Sequence, residues 1–91
     1  MNTYLITYDL QNSGIYSRNL LEERIKLFQA WARPTNSTWL IKTYQSRQDV
    51  FNQLSTTIGF LDKILIIQVT SNWIAKNLSN EVVVWMQGIM P

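Results

Sequence analysis

Residues Thr3–Leu10 (TYLITYDL) set the first constraint on this chain. They are rich in β-branched and aromatic side chains, so they favour a strand. Tyr4, Ile6 and Tyr8 fall on one face, and Leu5, Thr7 and Asp9 on the other. Both faces are mostly apolar. Such a strand belongs inside a sheet, with cover on both sides. The fold is then decided by what the rest of the sequence offers as cover.

Two further runs read as strands. Thr38–Tyr44 (TWLIKTY) sets Trp39, Ile41 and Thr43 against Leu40, Lys42 and Tyr44, and Lys63–Thr70 (KILIIQVT) is an almost continuous apolar run. Helical periodicity fills the gaps between them. Over Ile15–Ala32, Leu21, Ile25, Phe28 and Ala32 recur on one stripe, widened by Leu20, Leu27 and Trp31. Glu22, Glu23, Lys26 and Gln29 take the outer side of that helix, and Pro34 forbids its continuation. Ala30–Pro34 also suits a short strand, pairing with Thr38–Tyr44 as a hairpin around Thr35–Ser37. Gln11–Gly14 carries turn residues. Ser46 to Asp49 is a variant capping box that opens a helix over Arg47–Thr57, with Val50, Phe51, Leu54 and Ile58 inward and Gly59 ending it.

The tail is ambiguous by pattern. Three consecutive valines from Val82 argue for a strand. Ser79 or Asn80 as a cap, with Val82, Trp85, Met86 and Ile89 as a stripe, argues for a helix through Gln87, and helix is the expectation. Trp31 and Trp39 suit the core. Trp73 and Trp85 suit a covering role.

Strand, helix, short strand, strand, helix and strand in that order predict an α+β, ferredoxin-like βαββαβ plaid. Right-handed crossovers put both helices on one face of an antiparallel four-stranded sheet. The other face needs cover from the C-terminal extension, a second subunit or a ligand. The expected organisation is a single ferredoxin-like domain over residues 1–91, with a core at 2–70 and a C-terminal extension at 71–91.

A chain of 91 residues without cysteine has neither disulfides nor thiolate metal sites to support a small core. Oligomerisation is the remaining common aid, so a homodimer is expected. No apolar run approaches the ~20 residues of a membrane span. Met1 leads into a strand with no basic n-region, so the expected location is cytoplasmic, with no membrane partner. Net charge is +2, and the eight basic residues are scattered rather than gathered on one stripe.

With no His and no Cys, Ser-His-Asp triads, cysteine nucleophiles and His metal sites are excluded. Gly14, Gly59 and Gly88 stand too far apart for a phosphate loop. STWLIKT lacks the basic-Gly-aromatic signature of an RNA-recognition motif. Of the acids, Glu22 and Glu23 read as a solvated helix face, Asp49 as a helix-start acid and Asp62 as a turn acid. Asp9 stands out, because acids are depleted from strands and this one ends an apolar strand. It has two readings: a metal-ligating or catalytic carboxylate, and a turn former bonding the amides of Asn12 or Ser13. Mg²⁺ takes one or two carboxylates and keeps several waters, so two copies of Asp9 across a dimer axis would be the minimum for metal-assisted phosphodiester cleavage. Arg18 suits either a phosphate contact or a solvated first turn.

Tyr8-Asp9-Leu10, then Arg18, then Ser37-Thr38-Trp39 opening a strand, resemble the pattern of the CRISPR-associated protein 2 family. The resemblance covers roughly residues 2–70. It is nearest to small, poorly characterised relatives with a Ser-Thr-Trp-Leu strand and a later Trp, here Ser37 to Leu40 and Trp73. It implies a ferredoxin-like homodimer that associates with DNA or RNA, with metal-dependent nuclease activity in some members. It also implies Asp9 as the metal-binding and catalytic carboxylate, with Arg18 and Ser37 supporting nucleic-acid binding and Mg²⁺ as the cofactor. Leu40, Ile41 and Lys42 stand where the family often carries an acid. The competing expectation is therefore a non-catalytic protein-interaction module, tied to defence or mobile elements, that keeps the fold without the activity.

Overall fold

The computed structural model describes residues 1–11 and 14–89, with residues 14–17 followed in their backbone alone. Its elements run β1 (Asn2–Asp9), α1 (Gly14–Ile25), β2 (Ala30–Thr35), β3 (Thr38–Thr43), α2 (Arg47–Ser55), β4 (Lys63–Gln68) and α3 (Asn80–Gln87). The strands form one antiparallel sheet in the order β2-β3-β1-β4. This is the expected α+β, ferredoxin-like arrangement with a C-terminal helix added. The turn expected at Gln11–Gly14 includes residues 12 and 13, which lie outside the described residues.

The strand with two apolar faces is interior, as its pattern requires. In register, Ile6 sits opposite Trp39 on one side and Ile66 on the other, and Leu5 opposite Leu40 and Ile67. Tyr4, Ile6, Trp39 and Ile41 pack with Leu21 and Ile25 of α1 and Val50 and Leu54 of α2 in the main core. Burying such side chains contributes about 1.5–3 kcal/mol each, which is the chief force holding helices to sheet.

The first helix is shorter than its periodicity suggests. It stops at Ile25, where Leu27 N donates to Arg24 O and Phe28 N to Ile25 O, a tightened three-residue spacing. Leu21, Ile25 and Phe28 keep their buried side, but Leu27 is 78% exposed and outside the stripe. Ala32 is buried as a β2 residue instead. Trp31 also lies on β2, half-exposed, its ring 5.3 Å from that of Trp39. The register of β2 on β3 shifts between Ala32 and Thr35, where Pro34 interrupts the ladder on an edge strand.

The second helix begins as expected, with Ser46 Oγ accepting from Asp49 N at 3.1 Å. It ends at Ser55, and Phe51 is half-exposed rather than inward. In the tail, helix prevails over the valine run. Ser79 Oγ accepts from Val82 N at 3.3 Å, and Glu81 lies in the first turn, where the helix dipole favours an acid. Asn77, just before it, takes a left-handed φ of 66°, which Asn tolerates better than most residues.

The tail crosses the outer face of the sheet, the one turned away from α1 and α2. Lys42 Nζ lies 4.5 Å from the Trp85 ring centroid and donates to Gly88 O at 3.3 Å. Leu40, Ala32 and Ile89 are buried there. Cover is partial, because Leu65 and Ile67, beside β1 on the same face, remain 53% and 47% exposed. No helix among the described residues is long and apolar enough to cross a membrane.

Candidate functional site

Asp9 is the last residue of β1, and its side chain is exposed. Antiparallel pairing sets it opposite Lys63, and its Oδ2 accepts from Gln11 Nε2 at 2.8 Å. Asp9, Lys63, Thr7 and Leu65 border a shallow hollow of about 190 Å³. Thr7 pairs with Thr38, so Ser37, exposed in the β2–β3 turn, stands at the same end of the sheet as Asp9. Arg18 is exposed on α1. Among the described residues, no hydrogen bond or ion pair links Asp9, Arg18 and Ser37 to one another. The alternative reading of Asp9, as a turn former on Asn12 or Ser13, falls outside the described residues.

A second acid lies close by in the chain's path. Asp62 Oδ1 accepts from Gln11 N at 2.7 Å, and Oδ2 from Gly59 N at 2.8 Å. Asp62 is thus the turn acid its position suggests. Gln11 connects the two carboxylates, through its main chain to Asp62 and its side chain to Asp9. Both Asp62 oxygens lie on backbone amides, and Asp9 is the more exposed of the two carboxylates. Among the described residues, no group of three or more His, Cys, Asp or Glu residues is placed to hold a metal ion. The single Asp9 carboxylate of one chain would leave most of a Mg²⁺ octahedron to water and hold the ion poorly.

Behind Asp9, on the helix side, is a polar network that sequence reasoning missed. The Tyr8 hydroxyl donates to Glu22 Oε2 at 2.9 Å and accepts from Trp39 Nε1 at 3.1 Å. Arg33 donates to the same Glu22 oxygen at 2.8 Å and to Asn36 O at 2.6 Å, with its guanidinium 4.6 Å from the Trp39 centroid. Glu22, expected on a solvated face, has a side chain only 14% exposed. Its burial follows from Tyr8, whose inward-pointing phenol needs a partner. That need was visible in the β1 alternation; the identity of the partner was not. Burial, foremost, raises the Tyr8 pKa, and the bond and charge of Glu22 raise it further; the Trp39 N–H and Arg33 oppose the rise.

A larger concavity lies elsewhere. Between the outer sheet face and the tail lies a chamber of about 470 Å³. Leu5, Thr38 and Leu40 form its floor, and Trp73, Leu78, Met86 and Ile89 its roof. Trp73 and the α3 stripe thus line this covering layer, as their apolar character suggests.

Comparison with known proteins gives no match to any family model, curated protein or solved structure.

Proposed function

We propose that this chain works as a pair of copies associated with nucleic acid, and that Asp9 is the residue on which any Mg²⁺-dependent cleavage depends. The observation that carries this reading is the exposed Asp9 carboxylate at the end of the central strand, at the sheet end that also bears Ser37. The order Tyr8-Asp9-Leu10, Arg18 and Ser37-Thr38-Trp39, with its resemblance to the CRISPR-associated protein 2 family, supports it. Cleavage is confined to an assembly in which two Asp9 carboxylates meet, because one carboxylate holds Mg²⁺ poorly. Arg18 and Ser37 serve as phosphate contacts. On this reading the protein is cytoplasmic.

The test compares the wild type with Asp9→Asn on DNA and RNA, with and without Mg²⁺. Cleavage by the wild type that needs Mg²⁺ and disappears in Asp9→Asn is the expected result. Equal cleavage by both proteins, or none by either, removes the enzymatic part. Binding that weakens steeply with salt supports the nucleic-acid part, and salt-insensitive or absent binding removes it. A monomer in light scattering at high concentration removes the pairing.

A second reading is favoured by a separate observation. The half-exposed Leu65 and Ile67 lie on β4, an edge strand with no second partner among the described residues. An open apolar edge strand is a ready template for pairing with another chain. On this reading the protein is a non-catalytic interaction module. Loss of self-association and partner capture in Leu65→Lys, with nucleic-acid binding absent throughout, would favour it.

A further inference from the structure

The chamber between the outer sheet face and the tail is bounded by this chain on two sides. Its volume, about 470 Å³, falls within the span of small-molecule sites. Leu5 and Leu40 beneath, with Trp73, Leu78 and Met86 above, give it mainly apolar walls. Thr35, Thr38, Gln68, Thr70 and Asn72 supply the polar side chains, all of them neutral. Among the described residues, no charged side chain lines it. Lys42, the basic residue on this face of β3, is turned to the Trp85 ring and the Gly88 carbonyl.

These features select the occupant by charge. An ion entering this space would give up water without a counter-charge, which is strongly unfavourable. A neutral molecule with an aromatic or aliphatic body would bury that body against Leu40 and Trp73. One hydroxyl or carbonyl end would find a threonine or asparagine partner. We propose that the chamber is a binding site for a neutral, largely apolar small molecule with one hydrogen-bonding end. The site is on the outer face, apart from the Asp9 hollow, and the proposal stands independently of the nucleic-acid reading.

The probe for the test is N-phenyl-1-naphthylamine, a neutral fluorophore whose emission rises in apolar surroundings, titrated into the full chain. Saturable binding of one probe per chain is expected. The anionic analogue 1-anilinonaphthalene-8-sulfonate should bind weaker by roughly tenfold or more, since its sulfonate finds no partner. Ala75 lines the chamber from an exposed position, so Ala75→Trp fills space without touching the main core. That variant should keep the wild-type melting temperature and bind the neutral probe about tenfold less tightly. Phe51→Ser, which removes an exposed aromatic on α2 away from the chamber, should bind as the wild type does. No saturable binding, equal binding of the anionic analogue, or unchanged binding by Ala75→Trp would overturn the proposal. One probe per two chains would also overturn it, by assigning the chamber to a contact with a second copy.

Discussion

The Tyr8 hydroxyl donates to Glu22 Oε2 at 2.9 Å, and that one bond joins the central strand to the first helix. Arg33 of β2 reaches the same oxygen, and Trp39 of β3 donates to the same hydroxyl. Four elements therefore meet on two acceptor atoms. The pair is largely shielded from water, so it has more effect than an exposed ion pair would.

Removing Glu22 should show this. Glu22→Ala leaves the Tyr8 hydroxyl without its acceptor and Arg33 with Asn36 alone. The expected loss is about 1.5–3 kcal/mol, the range for hydrogen bonds to charged groups. Glu22→Gln keeps an acceptor oxygen and should lose about half as much. Urea unfolding reads both: the midpoint should fall in that order with an unchanged slope.

The same network sets an alkaline limit. Burial and Glu22 hold the Tyr8 pKa above its ordinary value. The unfolded chain then releases this proton first, near pH ~10. Stability from Tyr8 is fully present below that value and is lost as pH rises through the higher folded value. Melting temperatures from about pH 9 to about pH 11 should fall more steeply for the wild type than for Tyr8→Phe. Parallel curves would mean that Tyr8 does not contribute.

Much of the architecture was legible because it follows from period and punctuation. The two apolar faces of β1 required an interior strand, and Ser46 and Ser79 marked where two helices begin. The end of α1 was not legible. Ala32 and Trp31 continue the helical period of Leu21, Ile25 and Phe28, yet belong to β2. Pairing with β3, a long-range contact, overrode a local pattern there. The polar network was hidden for the same reason. Glu22 and Arg33 lie on different elements, and nothing in their spacing reveals that one phenol brings them together. Asp9 was legible as an acid ending an apolar strand, but its exposure and its link to Asp62 through Gln11 depend on where the chain re-enters the sheet at β4.

The two helix caps should differ in reach. Ser46 caps a helix that buries Val50 and Leu54, so Ser46→Ala should lower global stability by about 1 kcal/mol. Ser79 caps α3, which has no fully buried residue of its own. Ser79→Ala should instead loosen the tail locally. Trypsin cleavage at the exposed Lys76 should quicken, while the urea midpoint stays close to the wild type. A global loss equal to that of Ser46→Ala would show that tail and core unfold as one unit.

Asp62 and Asp9 should separate architecture from function. Asp62 receives two backbone amides, from Gln11 after β1 and from Gly59 before β4, and so ties both approaches to the sheet. Asp62→Ala strips both bonds and should cost about 1–2 kcal/mol, since exposure lets water replace part of each. Among the described residues, Asp9 makes one exposed bond, to a side-chain amide. Asp9→Asn keeps an acceptor oxygen and should change stability by less than about 0.5 kcal/mol. Thermal unfolding of the two variants side by side checks this. A near-neutral Asp9→Asn lets any loss of nucleic-acid cleavage be assigned to the carboxylate itself. A variant as unstable as Asp62→Ala would make Asp9 a structural acid, and the reading of the strand end as a site would fall with it.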